Sequence, residues 1–327
     1  MRRLVPALVI VVVIAVLWAI GWFWLASWAQ SNVGRVLAEI EERGVDVDCA
    51  GRDIVGFPFA LRVACGPTSV AEEQSRTEAQ LAGLTGGASV FAPRTAHIAL
   101  ASPARVDSPL LTEPAEIRWD DADIGVGMGL SGPQTVSFDA SDVSGKLPLA
   151  GFPEASASAE SAAGALAPTD DGGTLADFAF TGLALTISGA AFPPLDGRGS
   201  AVLSVPPRAL LAGRADLQAP LSARDVDIML SAGGARVQAQ GDVSVDAEGI
   251  VDGTIALRIA GGEALPAFIA ALPPERQKAG NAFVGAMMAF GNPTSLDGEA
   301  GSELVVEIVR GRAKVGPVEL TVPRVPL

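Results

Sequence analysis

His97 is the only histidine of the chain, which excludes any site that needs two. It sits beside Ile98 and Leu100 with the alternation of a strand, and is expected on the face opposite theirs, in solvent. No Gly-x-Ser-x-Gly elbow supplies a nucleophile. Asp120, Asp121 and Asp123 form the densest acidic cluster; their oxygens suit weak Ca²⁺ binding, and a charged turn between strands accounts for them equally. Gly125, Gly127 and Gly129 repeat every second residue, whereas a phosphate loop needs a wider third spacing and a following helix. That period suits a strand that bends or lets another backbone approach. Lys146, Lys278 and Lys314 are too scattered for an anion site. The expectation is a protein that is not an enzyme and uses no cofactor or metal ion.

The two cysteines close one segment, CAGRDIVGFPFALRVAC, from Cys49 to Cys65. Val45, Val47 and Cys49 alternate with Asp46 and Asp48, and Leu61, Val63 and Cys65 alternate likewise, so both flanks read as strands. Folding them back about Phe57 places Cys49 opposite Cys65, where a disulfide is geometrically reasonable. A loop of about 15 residues is worth roughly 3 kcal/mol in chain entropy. A redox pair would more often be Cys-X-X-Cys, so the expected role is a structural staple. Such a bond persists in an oxidising compartment.

The elements that carry these residues begin with an uncharged run from Leu4 to Ala29. As a helix it measures roughly 39 Å, more than the ~30 Å of a bilayer's hydrocarbon core. Trp18, Trp22, Trp24 and Trp28 crowd its far end, and Arg2 and Arg3 precede it, which holds the N-terminus in the cytoplasm. Ser27-Trp28-Ala29 offers a cleaved signal peptide as the rival reading, although a signal's apolar region is usually shorter. The expected organisation is a cytoplasmic stub over 1–3, a transmembrane anchor over 4–29, a juxtamembrane helix over 30–44 ended by Gly44, and a periplasmic β-rich domain over 45–327. The address is the inner membrane, crossed once.

The formal charge is −14, and Arg2 and Arg3 lie before the anchor, so the remainder is more acidic still. This argues against nucleic acid as a partner. Twelve Phe, five Trp and no Tyr leave few aromatics for a thick interior, and a long sheet needs fewer. With 37 Gly and 23 Pro in 327 residues, the chain stays below the share of roughly 25–30% that marks low complexity.

Strand patterns recur over 96–106, 115–130, 135–145, 175–189, 200–205, 223–261 and 302–325, separated by turns at 232–234, 246–249 and 297–299. The small-residue stretch over 153–174 reads as a linker or, preferably, as a weak strand running into a TDDGGT turn. PRALLAG, from Pro207, reads as a short helix. Two more short helices fall within 263–291, the second opened by Pro273-Pro274 and stopped by Gly291. The fold class is therefore mainly β: an extended, curved antiparallel meander with a few short helices, preceded by one transmembrane helix. Phe283, Met287 and Phe290 share one broad side of the last helix, where packing on the sheet and an adaptable apolar surface both stand open.

An anchor ending in tryptophans, then Gly56-Phe57-Pro58-Phe59 between two cysteines, then strand after strand with Gly-rich turns, resembles the alphaproteobacterial envelope family called domain of unknown function 2125. That resemblance covers nearly the whole chain and implies topology and address, since the family carries no established activity. The stretch GDVSVDAEGIVDGTIALRIAGG with the closing GRAKVGPVELTVPRVP is similar, more weakly, to the C-terminal part of AsmA-like envelope proteins, whose β-grooves are associated with lipid handling. The expected function is a non-enzymatic envelope protein that holds a lipid or other apolar ligand in a β-groove. The expected contacts are Phe57, Pro58, Phe59, Phe283, Met287 and Phe290. The alternative is an adaptor that meets envelope protein partners through sheet edges.

Overall fold

The computed structural model describes residues 16–27, 41, 44–72, 75–109, 111–129, 132–149, 152–187, 189–211, 220–262, 265–271, 274–315, 318–322 and 324. The chain is mainly β, antiparallel in its strand pairings, with short helices, and it divides into two compact units, Met1–Ile117 and Arg118–Leu327.

The first unit opens with helix α1 over 16–27. This is the described part of the expected anchor; the rest of 4–29, and nearly all of the expected juxtamembrane helix, lie outside the described residues. Among the described residues no helix is long and apolar enough to cross a membrane. Gly44 does take a left-handed backbone, φ 85°, just before the first strand.

Seven strands follow: β1 (Val45–Cys49), β2 (Asp53–Val55), β3 (Ala60–Cys65), β4 (Thr68–Glu72), β5 (Thr77–Ser89), β6 (Ala92–Asp107) and β7 (Ala115–Arg118). β1 pairs with β4 and β2 with β3 in one continuous register, Cys49 opposite Thr68 and Asp53 opposite Ala64. The expected fold-back is present, but its centre lies between Pro58 and Phe59, not at Phe57. Cys49 and Cys65 are consequently not directly opposed. They are bonded diagonally, with Cα atoms 5.4 Å apart, at the gap where Ala50–Arg52 and Gly66-Pro67 leave the ladder. Backbone bonds from Gly66 N to Ala50 O and from Ala50 N to Pro67 O close that gap.

β5 holds the unit together, pairing with β4 and then β3 along one edge and with β6 along the other. Its sequence, TEAQLAGLTGGAS, is small and Gly-rich, with no run of branched residues to announce a strand. The glycines serve contact: a Cβ on Gly87 would strike the backbone of Leu61 and Arg62 on β3.

The second unit is a meander of β8 (Asp121–Gly129), β9 (Gly132–Leu149), β10 (Phe152–Pro168), β11 (Thr174–Ile187), β12 (Ala190–Ala191), β13 (Leu195–Leu203), β14 (Leu221–Ala232), β15 (Ala235–Val245), β16 (Val251–Ala260), β17 (Asn292–Leu296), β18 (Glu299–Val309), β19 (Arg312–Val315) and β20 (Val318–Thr321). The stretch over 153–174 is strand β10 running into the turn, as the Ala/Ser alternation favours. Helix α2 (Pro207–Leu211) follows β13, and α3 (Leu265–Ala271) and α4 (Pro274–Phe290) are inserted between β16 and β17.

Candidate functional site

In the first unit the Gly-Phe-Pro-Phe turn is built for display. Gly56 has φ 105°, and a Cβ there would press on Ala60 O at 2.8 Å, so only glycine lets Ala60 N close the turn on Gly56 O. The tightness pushes Phe57 and Phe59 outward, and more than half of each side chain is exposed. Helix α1 lies against this turn. Trp22 Nε1 donates to Ala60 O and Trp18 Nε1 donates to Pro58 O, each at 3.1 Å. The Phe57 ring stands edge-on to Trp22 at 5.2 Å and stacks on Phe23 at 5.9 Å. On the other side Phe59 stacks on Phe91, from the β5–β6 turn, at 5.8 Å. Trp22 is buried, whereas Phe23, Phe57, Phe59 and Phe91 are exposed aromatics around the turn, with Phe91 80% exposed.

In the second unit the register sorts the sheet into two faces. One row runs Ile124, Phe138, Gly164, Phe178, Gly199, Ile228, Ala239, Leu257 and Leu304 across nine strands. The next runs Ala140, Ala162, Phe180, Gly197, Leu230, Val237 and Ile259. Phe178 and Phe180 stack on each other at 6.4 Å and lie over Gly199 and Gly197, where a Cβ would collide with their rings. At a strand spacing of about 4.8 Å, the nine-strand row extends roughly 38 Å. Phe138 and Phe178 remain 39% exposed along it.

Helix α4 seats on one end of this face. Met287 is only 4% exposed and packs with Ile259 and Leu304, and Ser302 Oγ donates to Met287 O at 3.0 Å. Phe290, at the helix end, is 47% exposed. The Phe283 side chain lies outside the described residues. The contacts expected from the sequence therefore fall in two groups, Phe57, Pro58 and Phe59 in the first unit and Met287 and Phe290 in the second. Sequence reading missed Phe138, Phe178 and Phe91. For the first two, an aromatic opposite a glycine was the available signal, visible only once the register is known.

The opposite face is polar and self-satisfied. Arg258 Nε donates to Glu303 Oε2 at 2.5 Å and its Nη1 to Gln240 Oε1, while Gln238 and Gln240 both donate to Asp227, at 2.8 and 2.9 Å. These partners occupy one another, so the ladder satisfies its own polar groups. A shallow hollow of about 310 Å³ on this side is lined by Arg198, Met229, Ser231, Arg236 and Asp297 among others. Asp171, in the β10–β11 turn, is held down at about 2 by hydrogen bonds from Thr169 and then Arg224, so it stays ionised at neutral pH. Among the described residues, no group of three or more His, Cys, Asp or Glu is placed to hold a metal ion. Gly125 and Gly127 lie on β8, their faces occupied by the hydroxyls of Ser137 and Thr135.

No curated protein and no solved structure gives a significant match to the chain. A family pattern does, over residues 22–323, which takes in the end of α1 from Trp22, the cystine-bounded turn and the whole apolar face. The chain belongs to the family described as "Uncharacterized protein conserved in bacteria (DUF2125)".

Proposed function

We propose that this chain is a non-enzymatic cell-envelope protein, anchored in the inner membrane by its N-terminal apolar run, that holds an acyl chain or similar apolar ligand along the second unit's sheet. The observation that carries the reading is the apolar row from Ile124 to Leu304, wide enough for an extended chain and still partly exposed at Phe138 and Phe178. An apolar strip of that extent on a chain of charge −14 calls for a covering partner. The weaker likeness of the C-terminal strands to AsmA-like proteins points to lipid as that partner. Anchoring is supported by the uncharged run from Leu4 to Ala29 with Arg2 and Arg3 before it, and export by the Cys49–Cys65 bond.

Mass spectrometry of lipids retained by the purified chain tests the ligand. A retained acyl lipid, lost in Phe178→Glu, is expected. A lipid-free chain that co-purifies with envelope proteins would replace this reading with the adaptor one. Resistance to carbonate extraction tests the anchor.

A further inference from the structure

The first unit's aromatic surface lies at an informative height. The turn meets Trp18, Trp22 and Phe23, all of which lie inside the apolar run. Whatever surrounds those helix positions also surrounds Phe57, which packs on Trp22 and Phe23, and the same turn carries Phe59, stacked on Phe91. The exposed helix side chains at the same level, Val16, Leu17, Ile20 and Trp24, are apolar too. Charge is sorted in the same sense. In the segments that form this end of the unit, 50–64 and 85–99, the charges are Arg52, Arg62 and Arg94, with Asp53 the one carboxylate. The far end of the same ladders carries Asp46, Asp48, Glu72, Glu78 and Asp107 against Arg76 and Arg105, so it is acidic on balance.

We propose that the Gly-Phe-Pro-Phe turn and Phe91 are a second membrane contact: they dip into the outer leaflet of the bilayer that holds α1, with the neighbouring arginines among the phosphates. The inference rests on the anchoring reading above. An aromatic tip rimmed by arginines matches a bilayer interface, where rings sit at headgroup depth and guanidinium groups reach phosphate oxygens. The acidic far end is then held away from anionic lipid. The contact fixes the first unit against the membrane surface instead of leaving it free on a tether.

The test uses the full chain in vesicles of phosphatidylethanolamine and phosphatidylglycerol. The native cysteines are bonded, so a spin label is placed selectively at Phe91→Cys, at Phe59→Cys, or at Ser75→Cys near the far end. Labels at 91 and 59 should be accessible to oxygen and at least several-fold less accessible to a water-soluble nickel complex than the label at 75. A label at 91 as aqueous as that at 75, in a chain that resists carbonate extraction, overturns this inference and leaves the anchor standing. Release of the chain by carbonate overturns the anchor and the inference with it.

Discussion

Trp22 and Ala60 are joined by a 3.1 Å hydrogen bond from indole Nε1 to a backbone oxygen, 38 residues apart in sequence. That one bond ties the tryptophan helix to the turn that follows the first cysteine. The same indole packs edge-on against Phe57 and is nearly covered, so it supplies both the polar and the apolar part of the joint.

Trp22→Phe should keep most of the packing and lose the donor, at a cost of about 1 kcal/mol. Trp22→Ala should cost about 3–5 kcal/mol of the docking energy. Amide exchange of Phe59 and Ala60 in the detergent-solubilised chain checks this. Exchange should quicken modestly in the first variant and strongly in the second; equal protection in all three would show that α1 does not hold the turn.

The diagonal disulfide acts on the same hairpin from its other end. Replacing Cys49 and Cys65 together by serine should lower stability by roughly 3 kcal/mol through the released loop. Binding of a fluorescent fatty acid, assayed below the melt, should not change, because the apolar face lies in the other unit. Thiol titration of the native protein should find no free cysteine; reactive thiols, or exchange activity lost in the variant, would contradict the structural role.

Acid should act locally on the β10–β11 turn. Asp171 titrates near 2 in the folded chain and near 3.8 otherwise. Because its folded value is depressed, its contribution is present above about 4 and is lost as pH falls toward 2. Both Asp171 and Arg224 are about half exposed, so solvent screens the pair and the effect is small. Asp171→Asn should leave the melting temperature at pH 7 nearly unchanged, and a carboxyl titration by NMR should place the Asp171 midpoint near 2. An ordinary midpoint would show the Thr169 and Arg224 bonds absent in solution.

Period-two alternation made most strands legible, because each needs one face for the core and one for water. β5 escaped, since Gly83, Gly86 and Gly87 trade side chains for close backbone contact and leave no pattern to read. The turn at Gly56–Phe59 was legible; its register was not, because mirror symmetry about Phe57 assumes a shorter turn than the one that Gly56 and Ala60 close. Helix α4 was bounded correctly by Pro274 and Gly291, as local stop signals allow. The two faces of the second unit were beyond sequence reading for a different cause. Phe178 means little alone and much beside Gly199, and that neighbour is set by pairing, not by distance along the chain.

The apolar face gives the sharpest separation of packing from binding. Met287 is buried between Ile259 and Leu304, so Met287→Ala should cost about 2–5 kcal/mol. Phe290 is half exposed at the helix end, so Phe290→Ala should shift stability far less than a core truncation. Phe178 combines a ring packed over Gly199 with an exposed edge, which makes Phe178→Ala the informative change. It should cost modest stability and weaken a fluorescent fatty-acid probe several-fold, whereas Met287→Ala should weaken the probe only as far as it unseats α4. Denaturant titration and probe binding on the three variants decide the matter together. Stability losses at Met287 and Phe178 with unchanged probe affinity would mean that the face serves packing alone, and the ligand would have to be sought elsewhere on the molecule.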